Sequence, residues 1–466
     1  MTESHPQIPP LKIAVEGCVR HSSKPQNIRS RSKTTNTYKG HGELNTIYEK
    51  LEKDCSSRGW TLSDLDFLII CGDFQAVRNP QDLNCMSIPP RYRKLEDFHT
   101  YYRGTARAPV LTLVVGGNHE AANYFSELHH GGWLAPNIYY LGAANVLRYG
   151  PYRIAGLSGI FKESDYAKPH HERLPYSASA VRSVYHVRRR DVELLLQVGT
   201  PLDVCLSHDW PRRVEWFGDH GALFAARPSF FDSAKVDNLG SPAGEQVLSL
   251  LRPRYWFAGH MHVKFSAEVR HSSDTSGDIF RRVPVSEAVR AQLPKSMFRA
   301  PFVAKGRVMA LPPPEITNTV TQFLALDKPG PDREFLELLE ISPAVDESGD
   351  SIAPYMQKTP ESKFSLHYDE EWLSIVRAAY DKTKSKDEHL QWIKTSLTAQ
   401  NLLKIPENFA RHAPIYDPDD KIEWKGQPPE YPNSQTEAFR AMLQLQDGEA
   451  SNDDVSVLGG DNIVFG

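Results

Sequence analysis

The feature that most limits what this chain can fold into is a series of short apolar runs, each followed by a polar turn. They are Leu11 to Val15, Phe67 to Ile70, Val110 to Val115, Arg153 to Ala155, Val204 to Leu206 and Tyr255 to Ala258. Each has strand length and is rich in Val, Ile, Leu and aromatics. Stretches with apolar residues recurring at three and four lie between several of them, at Leu44 to Cys55, Val187 to Gln197 and Gly244 to Leu251, and these predict helices. Strands alternating with helices imply an α/β unit whose sheet is buried on both faces.

The rest of the chain reads as a sequence of unlike segments. Residues 1–10 have the composition of a disordered start, 11–268 of a catalytic-size α/β domain, and 269–317, with its HSSDTSGD and LPPPEIT, of an exposed connection. Periodicity returns in 318–425, with strand-like QFLALDK and EFLELLEIS and a helix-like EEWLSIVRAAY, so a smaller second unit is expected there. Residues 426–466 are expected to be an acidic disordered tail, since Asp447 to Gly466 carries five acids and no base. With 40% hydrophobic and 24% charged residues, collagen-like, coiled-coil and wholly disordered chains are excluded. No run of eighteen apolar residues occurs and the start lacks a signal-peptide pattern, which predicts a soluble intracellular protein. Five cysteines without a CxxC pair argue against a disulfide scaffold and for a reducing compartment. A formal charge of −4 offers no global basic field, so a nucleic-acid substrate requires a local basic patch.

Four polar constellations follow four of the apolar runs: Cys71-Gly72-Asp73-Phe74-Gln75, Gly116-Gly117-Asn118-His119-Glu120, Ser207-His208-Asp209-Trp210 and Gly259-His260-Met261-His262. In an open α/β sheet such positions lie at the carboxyl edge, where ligands bind. Alone, a Gly-Asp after a strand is a common turn and a single His a common structural residue. Together, a carboxylate, a carboxamide oxygen and three histidines form the ligand mix that suits Zn²⁺, Mn²⁺ or Fe²⁺. A shared Asp oxygen can bridge two ions about 3.5–4 Å apart.

These motifs resemble the calcineurin-like metallophosphoesterases, with their D-x-H, GD, GNH[DE], H and GHxH pattern, and within them the RNA lariat debranching enzymes. The likeness includes GDFQAVRNPQDLNCMSIPPRYR from Gly72, GGNHEA from Gly116, GGWLAPNIYYLG from Gly131, GLSGIFK from Gly156, LSHDWP from Leu206 and WFAGHMHVKF from Trp256. It continues more weakly through TQFLALDKPGPDREFLELLEI and DEEWLSIVRA. The resemblance implies a sandwich of two mixed β-sheets flanked by helices, with a smaller α+β carboxy-terminal domain. It implies two divalent ions (Fe²⁺, Zn²⁺ or Mn²⁺) bridged by Asp73, one completed by Asn118, His208 and His260, the other by His262 and the histidine of the first motif. His119 would protonate the leaving oxygen without being a ligand. Cys18 stands where most phosphoesterases have Asp, as in debranching enzymes, and gives the second ion a softer ligand that admits Fe²⁺. The implied activity is hydrolysis of the 2′–5′ phosphodiester in excised intron lariats, in the nucleus, with splicing or intron-turnover factors as further partners and no membrane.

Metals alone do not choose the substrate. The loop Gly159 to Tyr176 mixes basic, aromatic and His residues directly after a strand; its aromatics offer stacking faces for unpaired bases and its cations can meet phosphates. The candidate substrate contacts are Gln75, Lys162, Tyr166, Lys168, Arg173 and Tyr176, while Arg188-Arg189-Arg190 reads as a solvated helix face. Two other readings fit the residues: a metallophosphoesterase for another phosphodiester, and a catalytically weak protein that binds branched RNA or splicing factors.

Residues Val19 to Lys39 interrupt the first motif with six Lys or Arg, seven Ser or Thr and no acid, a composition that cannot pack. Debranching enzymes read Gly-Cys-x-His-Gly-Glu/Gln-Leu without a break, and excising these 21 residues restores Gly17-Cys18-Gly40-His41-Gly42-Glu43-Leu44. A surface loop or a translated intron accounts for the segment, the second favoured because Val19 can encode GT and Thr35-Asn36 can encode a branch-site-like CTAAC. On either account His41, not His21, is the first-motif ligand. A chain lacking Val19 to Lys39 should bind two ions and cleave branched RNA at least as well as the full chain, checked by metal analysis and turnover; a folded deletion protein without metal, matched by the same loss in His21→Ala, overturns the assignment.

Overall fold

The computed structural model describes residues 10–19, 44–271, 287–293, 312–343, 363–420 and 422–445. Among these are thirteen strands: β1 Leu11–Glu16, β2 Phe67–Ile70, β3 Thr112–Val114, β4 Gly132–Ala135, β5 Ile138–Tyr140, β6 Ala144–Tyr149, β7 Tyr152–Leu157, β8 Val204–Ser207, β9 Tyr255–Ala258, β10 Phe265–Arg270, β11 Val320–Ala325, β12 Leu336–Ile341 and β13 Leu366–Tyr368. They form a six-stranded sheet, β12-β1-β2-β3-β5-β4, and a seven-stranded sheet, β10-β11-β9-β8-β7-β6-β13. Four neighbours run parallel in each, β1-β2-β3-β5 and β7-β8-β9-β11, and antiparallel strands take the edges.

The strand sequences explain the layers. Side chains alternate across a strand, so a strand covered on both sides must be apolar throughout. In β2, Phe67 and Ile69 enter the core shared by the two sheets, while Leu68 and Ile70 enter a second core under the helix Leu44–Ser57. That helix brings Leu44, Ile47, Leu51 and Cys55, spaced at three and four, to the same core. The helix Pro242–Leu251 starts as its sequence requires, with Pro242 in the first turn and Ser241 Oγ accepting from the Gly244 N–H at 3.0 Å. Val247 and Leu251 then join the main core.

The carboxy-terminal unit shares both sheets. β11 lies parallel beside β9, with Phe323 opposite Trp256, and β12 lies antiparallel on β1, with Leu339 opposite Ile13. The helix Glu370–Tyr380 is capped by Asp369, whose carboxylate accepts from the Trp372 N–H and is gripped by Arg153 of β7 through two bonds of 2.8 Å. Arg153 also reaches Glu371 at 3.1 Å and the Thr200 carbonyl at 2.8 Å, so a guanidinium only 3% exposed is fully occupied by partners.

Two expectations are corrected. The tail expected from residue 426 does not begin there: helix Ser434–Met442 sends Phe439 into the main core, joined by Leu443 and Leu445, and the Gln435 side chain accepts from the Trp133 N–H at 2.7 Å and donates to the Trp133 carbonyl at 3.0 Å. Apolar residues at Phe439, Leu443 and Leu445 supply the burial that holds this helix to the core. Val19, counted with the segment that cannot pack, is 1% exposed within the second core. Residues 20–43 and 446–466, with the rest of the inserted segment and of the expected tail, lie outside the described residues.

Removing one partner of a buried ion pair strands the other charge, at a cost of about 3–5 kcal/mol. Asp369→Ala should lower unfolding stability by this order, measured by the denaturant midpoint, whereas Arg153→Met combined with Asp369→Leu should recover only part of the loss, since Arg148, 2.8 Å from Asp369, and Glu371, 3.1 Å from Arg153, then lose a partner.

Candidate metal centre

Both parallel runs end on the same side of the sandwich, so loops after β1, β2 and β3 of one sheet meet loops after β8 and β9 of the other. This brings Cys18, Asp73, Asn118, His119, His208, His260 and His262 into one neighbourhood. Of the sequence-predicted ligands, His41 lies outside the described residues.

Asp73 is 1% exposed, and its two carboxylate oxygens face different groups. Oδ1 lies 3.4 Å from His208 Nε2 and accepts the His119 backbone N–H at 2.9 Å. Oδ2 accepts the Cys18 thiol at 3.3 Å, and the Cys18 Sγ lies 3.5 Å from His262 Nε2. The donor atoms of Cys18, Asp73 and His262 all lie within 4.8 Å of one another. On the Oδ1 side, His208 Nδ1 is 2.7 Å from the Cys71 carbonyl, which can only accept, so the ring proton sits on Nδ1 and the Nε2 lone pair points inward. There it meets Asn118 Oδ1 at 3.1 Å. Nitrogen and carboxamide-oxygen donors on one side of the carboxylate, and a thiol and an imidazole on the other, form a set that suits divalent cations.

Electrostatics favour the same use. Burial pushes the Asp73 carboxyl upward, but His119, His208, His260 and the Cys18 thiol outweigh it and hold the group well below the usual carboxylate range. Burial lowers His260 against the pull of Asp209. It takes His262 down to about 3, with the Lys328 ammonium adding to the effect. The imidazoles of His260 and His262 are therefore neutral at pH 7 and free to offer lone pairs.

The backbone is shaped to hold this set. Asp73, Gln75, His260 and His262 have φ of 53°, 58°, 62° and 51°, a left-handed conformation uncommon outside glycine. Gly72, φ 99°, lets the His208 ring lie where a Cβ would sit 2.3 Å from Nδ1. The loops after β2 and β3 are fastened by Glu120, whose carboxylate accepts the N–H groups of Phe74 at 2.9 Å, Gln75 at 2.7 Å and Gly117 at 2.8 Å. The sequence offers Glu120 only as the last letter of its motif; a role that consists of holding backbone 45 residues away leaves no local signal.

A cleft of about 570 Å³ opens beside His260, lined by Ile160, Phe161, Lys162, Asp209, Arg212 and Leu239 among others. Lys162 is thus brought to the centre, and Arg212, immediately after the LSHDWP motif, is a lining cation that sequence reading missed, held by Glu245 at 3.1 Å. Tyr166 is half-buried with its ring 5.2 Å from Phe161, and Lys168 is exposed and paired to Asp165 at 2.6 Å. Arg173 is exposed, its guanidinium donating to the Glu172 carbonyl at 2.9 Å, and Gln75 is 7% exposed beside the centre.

Two expectations for this loop are corrected. Tyr176 offers no stacking face: it is 7% exposed, packed with Cys85 and Ala122, and its backbone is bracketed by the Gln427 amide at 2.6 and 2.9 Å. Arg188 is not on a solvated face: it is fully buried, paired to Glu172 at 2.6 Å and bonded to the Asp165 and Ser183 carbonyls, each at 2.9 Å. It is the internal brace of the loop.

Comparison with known proteins gives two family matches, "Calcineurin-like phosphoesterase" over residues 13–264 and "Lariat debranching enzyme, C-terminal domain" over 318–388 and 381–448. The chain is 37% identical to a lariat debranching enzyme of Schizosaccharomyces pombe over 461 residues, covering 87% of this chain and 94% of that one. It is 39% identical to a lariat debranching enzyme of Homo sapiens over 426 residues, covering 87% and 68%. With one of Arabidopsis thaliana it shares 34% over 448 residues, covering 93% and 86%.

A Cβ at Gly117 would meet the Asp73 nitrogen at 2.3 Å and Oδ1 at 2.4 Å. Gly117→Ala must therefore displace the shared carboxylate. Misplacement by about 1 Å costs roughly 10²-fold in rate, and bound metal should fall with turnover; unchanged metal content by elemental analysis would show that Asp73 tolerates the shift.

Proposed function

The chain belongs to the lariat debranching enzymes, within the calcineurin-like metallophosphoesterases, and on that premise we propose that it hydrolyses the 2′–5′ phosphodiester at the branch point of excised intron lariats, giving linear RNA for turnover. The observation that carries the reading is the divided carboxylate of Asp73, with the His208 nitrogen, itself in contact with the Asn118 carboxamide, on one oxygen and the Cys18 thiol, beside the His262 imidazole, on the other, next to a cleft whose wall includes Lys162 and Arg212.

Divalent ions belong to this family, and two of them, drawn from Fe²⁺, Zn²⁺ and Mn²⁺, suit the donors: Asp73, Asn118, His208 and His260 for one, and Asp73, Cys18, His262 and His41 for the other. When bound, they supply Lewis acidity at phosphate oxygens and lower the pKa of water. The residues of the chain do the rest. Lys162 and Arg212 on the cleft walls meet phosphate oxygens, and Phe161 offers a ring to a base that the branch leaves unpaired. His119, fixed by its backbone bond to Asp73, gives a proton to the departing 2′ oxygen. The sealed Glu172–Arg188 pair keeps the loop in one shape while substrate docks. The substrate arises where introns are removed, so the nucleus and contact with splicing or intron-turnover factors form part of this proposal.

A synthetic 2′–5′ branched RNA with added Mn²⁺ or Fe²⁺ should be linearised, and a linear 3′–5′ RNA of the same sequence left intact; cleavage of both alike, or of neither, overturns the reading. His119→Ala should cut the branched-RNA rate by about 10²–10⁴-fold with metal content nearly unchanged, whereas Asp73→Ala should lose metal and activity together. Equal metal loss in both variants would make His119 a ligand.

A further inference from the structure

A second group of metal-competent side chains lies apart from the Asp73 centre: His129, His170 and Asp191 each place one donor atom within 4.8 Å of the others. They come from three elements. His129 follows the helix Ala122–Glu127, His170 belongs to the recognition loop, and Asp191 sits in the first turn of the helix Arg189–Leu195. His170 Nε2 is 2.7 Å from Asp191 Oδ2, and His129 Nε2 is 3.9 Å from Asp191 Oδ1. The two imidazole rings meet edge to face at 5.0 Å. We propose that these three residues bind one divalent transition metal of the Zn²⁺ class and thereby tie the recognition loop to the body of the protein.

Three observations favour metal over a plain hydrogen-bonded cluster. Two imidazole nitrogens and a carboxylate are the donor set Zn²⁺ prefers. The Asp191 side chain is 5% exposed, whereas His129 and His170 are 38% and 31% exposed, so the carboxylate forms a fixed floor and an ion can enter from solvent between the rings. At 3.9 Å the His129–Asp191 approach is too long for a hydrogen bond. Ligands in a tetrahedral zinc site stand about 3.3 Å apart, so the His170 Nε2–Asp191 Oδ2 pair, at 2.7 Å, must open by about 0.6 Å to admit the ion. The ion takes the place of the proton now shared by His170 and Asp191. Arg190, next in sequence to Asp191, directs its guanidinium to the Tyr380 ring at 5.3 Å and also acts electrostatically on Asp191 and His129, so the ion binds against one nearby cation. Three protein ligands leave a fourth position for water.

The loop is already braced at its far end by Glu172 and Arg188, and His186 bonds to Asp165 at 2.8 Å. Metal at His170 adds the connection those bonds lack, between the loop and the element carrying His129.

Elemental analysis of chains dialysed against micromolar Zn²⁺ tests the site. The full chain should hold one more equivalent than His129→Ala, and Asp73→Ala one more than Asp73→Ala combined with His129→Ala, which separates this site from the catalytic centre. Should a variant fail to fold, the unaltered chain still decides: Zn²⁺ should protect His129 and His170 from carbethoxylation at least tenfold, read by peptide mass spectrometry. Equal metal content within each pair, or modification unaffected by Zn²⁺, overturns the proposal.

Discussion

A full negative charge on Asp73, at 1% exposure, is the constraint around which the rest is arranged. A carboxylate taken out of water is costly unless hydrogen bonds and opposite charge replace the solvent. Here a backbone N–H from His119 and a thiol from Cys18 replace part of the solvent, while the ring of His208, its proton held by the Cys71 carbonyl, turns a lone pair toward the carboxylate. Those groups belong to loops after four strands in two sheets. Only a sandwich whose parallel runs end at one edge can deliver them together, and only left-handed turns at Asp73, His260 and His262 can aim them. The β-sandwich and the backbone strain are thus two aspects of one requirement.

What the sequence disclosed follows from the range of the forces involved. β1, β2, β8 and β9 are legible because burial on both faces demands uninterrupted apolar residues, and the adjacent Gly and His mark where they end. β10 is less so: Ser266, Glu268 and Arg270 alternate with buried Phe265, Ala267 and Val269, and nothing nearby says that β11, some fifty residues later, will pair with it. The same holds for the site. Asp73, Asn118, His208, His260 and His262 carry their chemistry in their own side chains. Glu120, Arg188 and Arg212 act through distant backbone or carboxylates, and a charged residue in a motif looks the same whether it faces solvent or a buried partner. Tyr176 misleads for that reason: its loop reads as polar, and the group that covers it, Gln427, is 251 positions away.

Charge is likewise a local matter here. The chain as a whole is slightly acidic, yet the cleft wall presents Lys162 and Arg212. A substrate with closely spaced phosphates around one ribose needs cations at one place rather than a field over the surface, and the modest net charge avoids non-specific hold on the abundant linear RNA around it. The buried Glu172–Arg188 pair fixes the loop's shape in advance, and in the substrate-binding role proposed for the loop this leaves little ordering entropy to lose.

The pairing of Gln435 with Trp133 bears on solubility as well as on the fold. β4 is the last strand of its sheet, and an edge with unpaired N–H and C=O groups is a template for another chain. The Gln435 amide donates and accepts at Trp133 as a neighbouring strand would, so a side chain from near the end of the described chain occupies the edge. A chain ending before Ser434 would keep every catalytic residue and still present a bare strand, and its failure would take the form of self-association rather than lost chemistry.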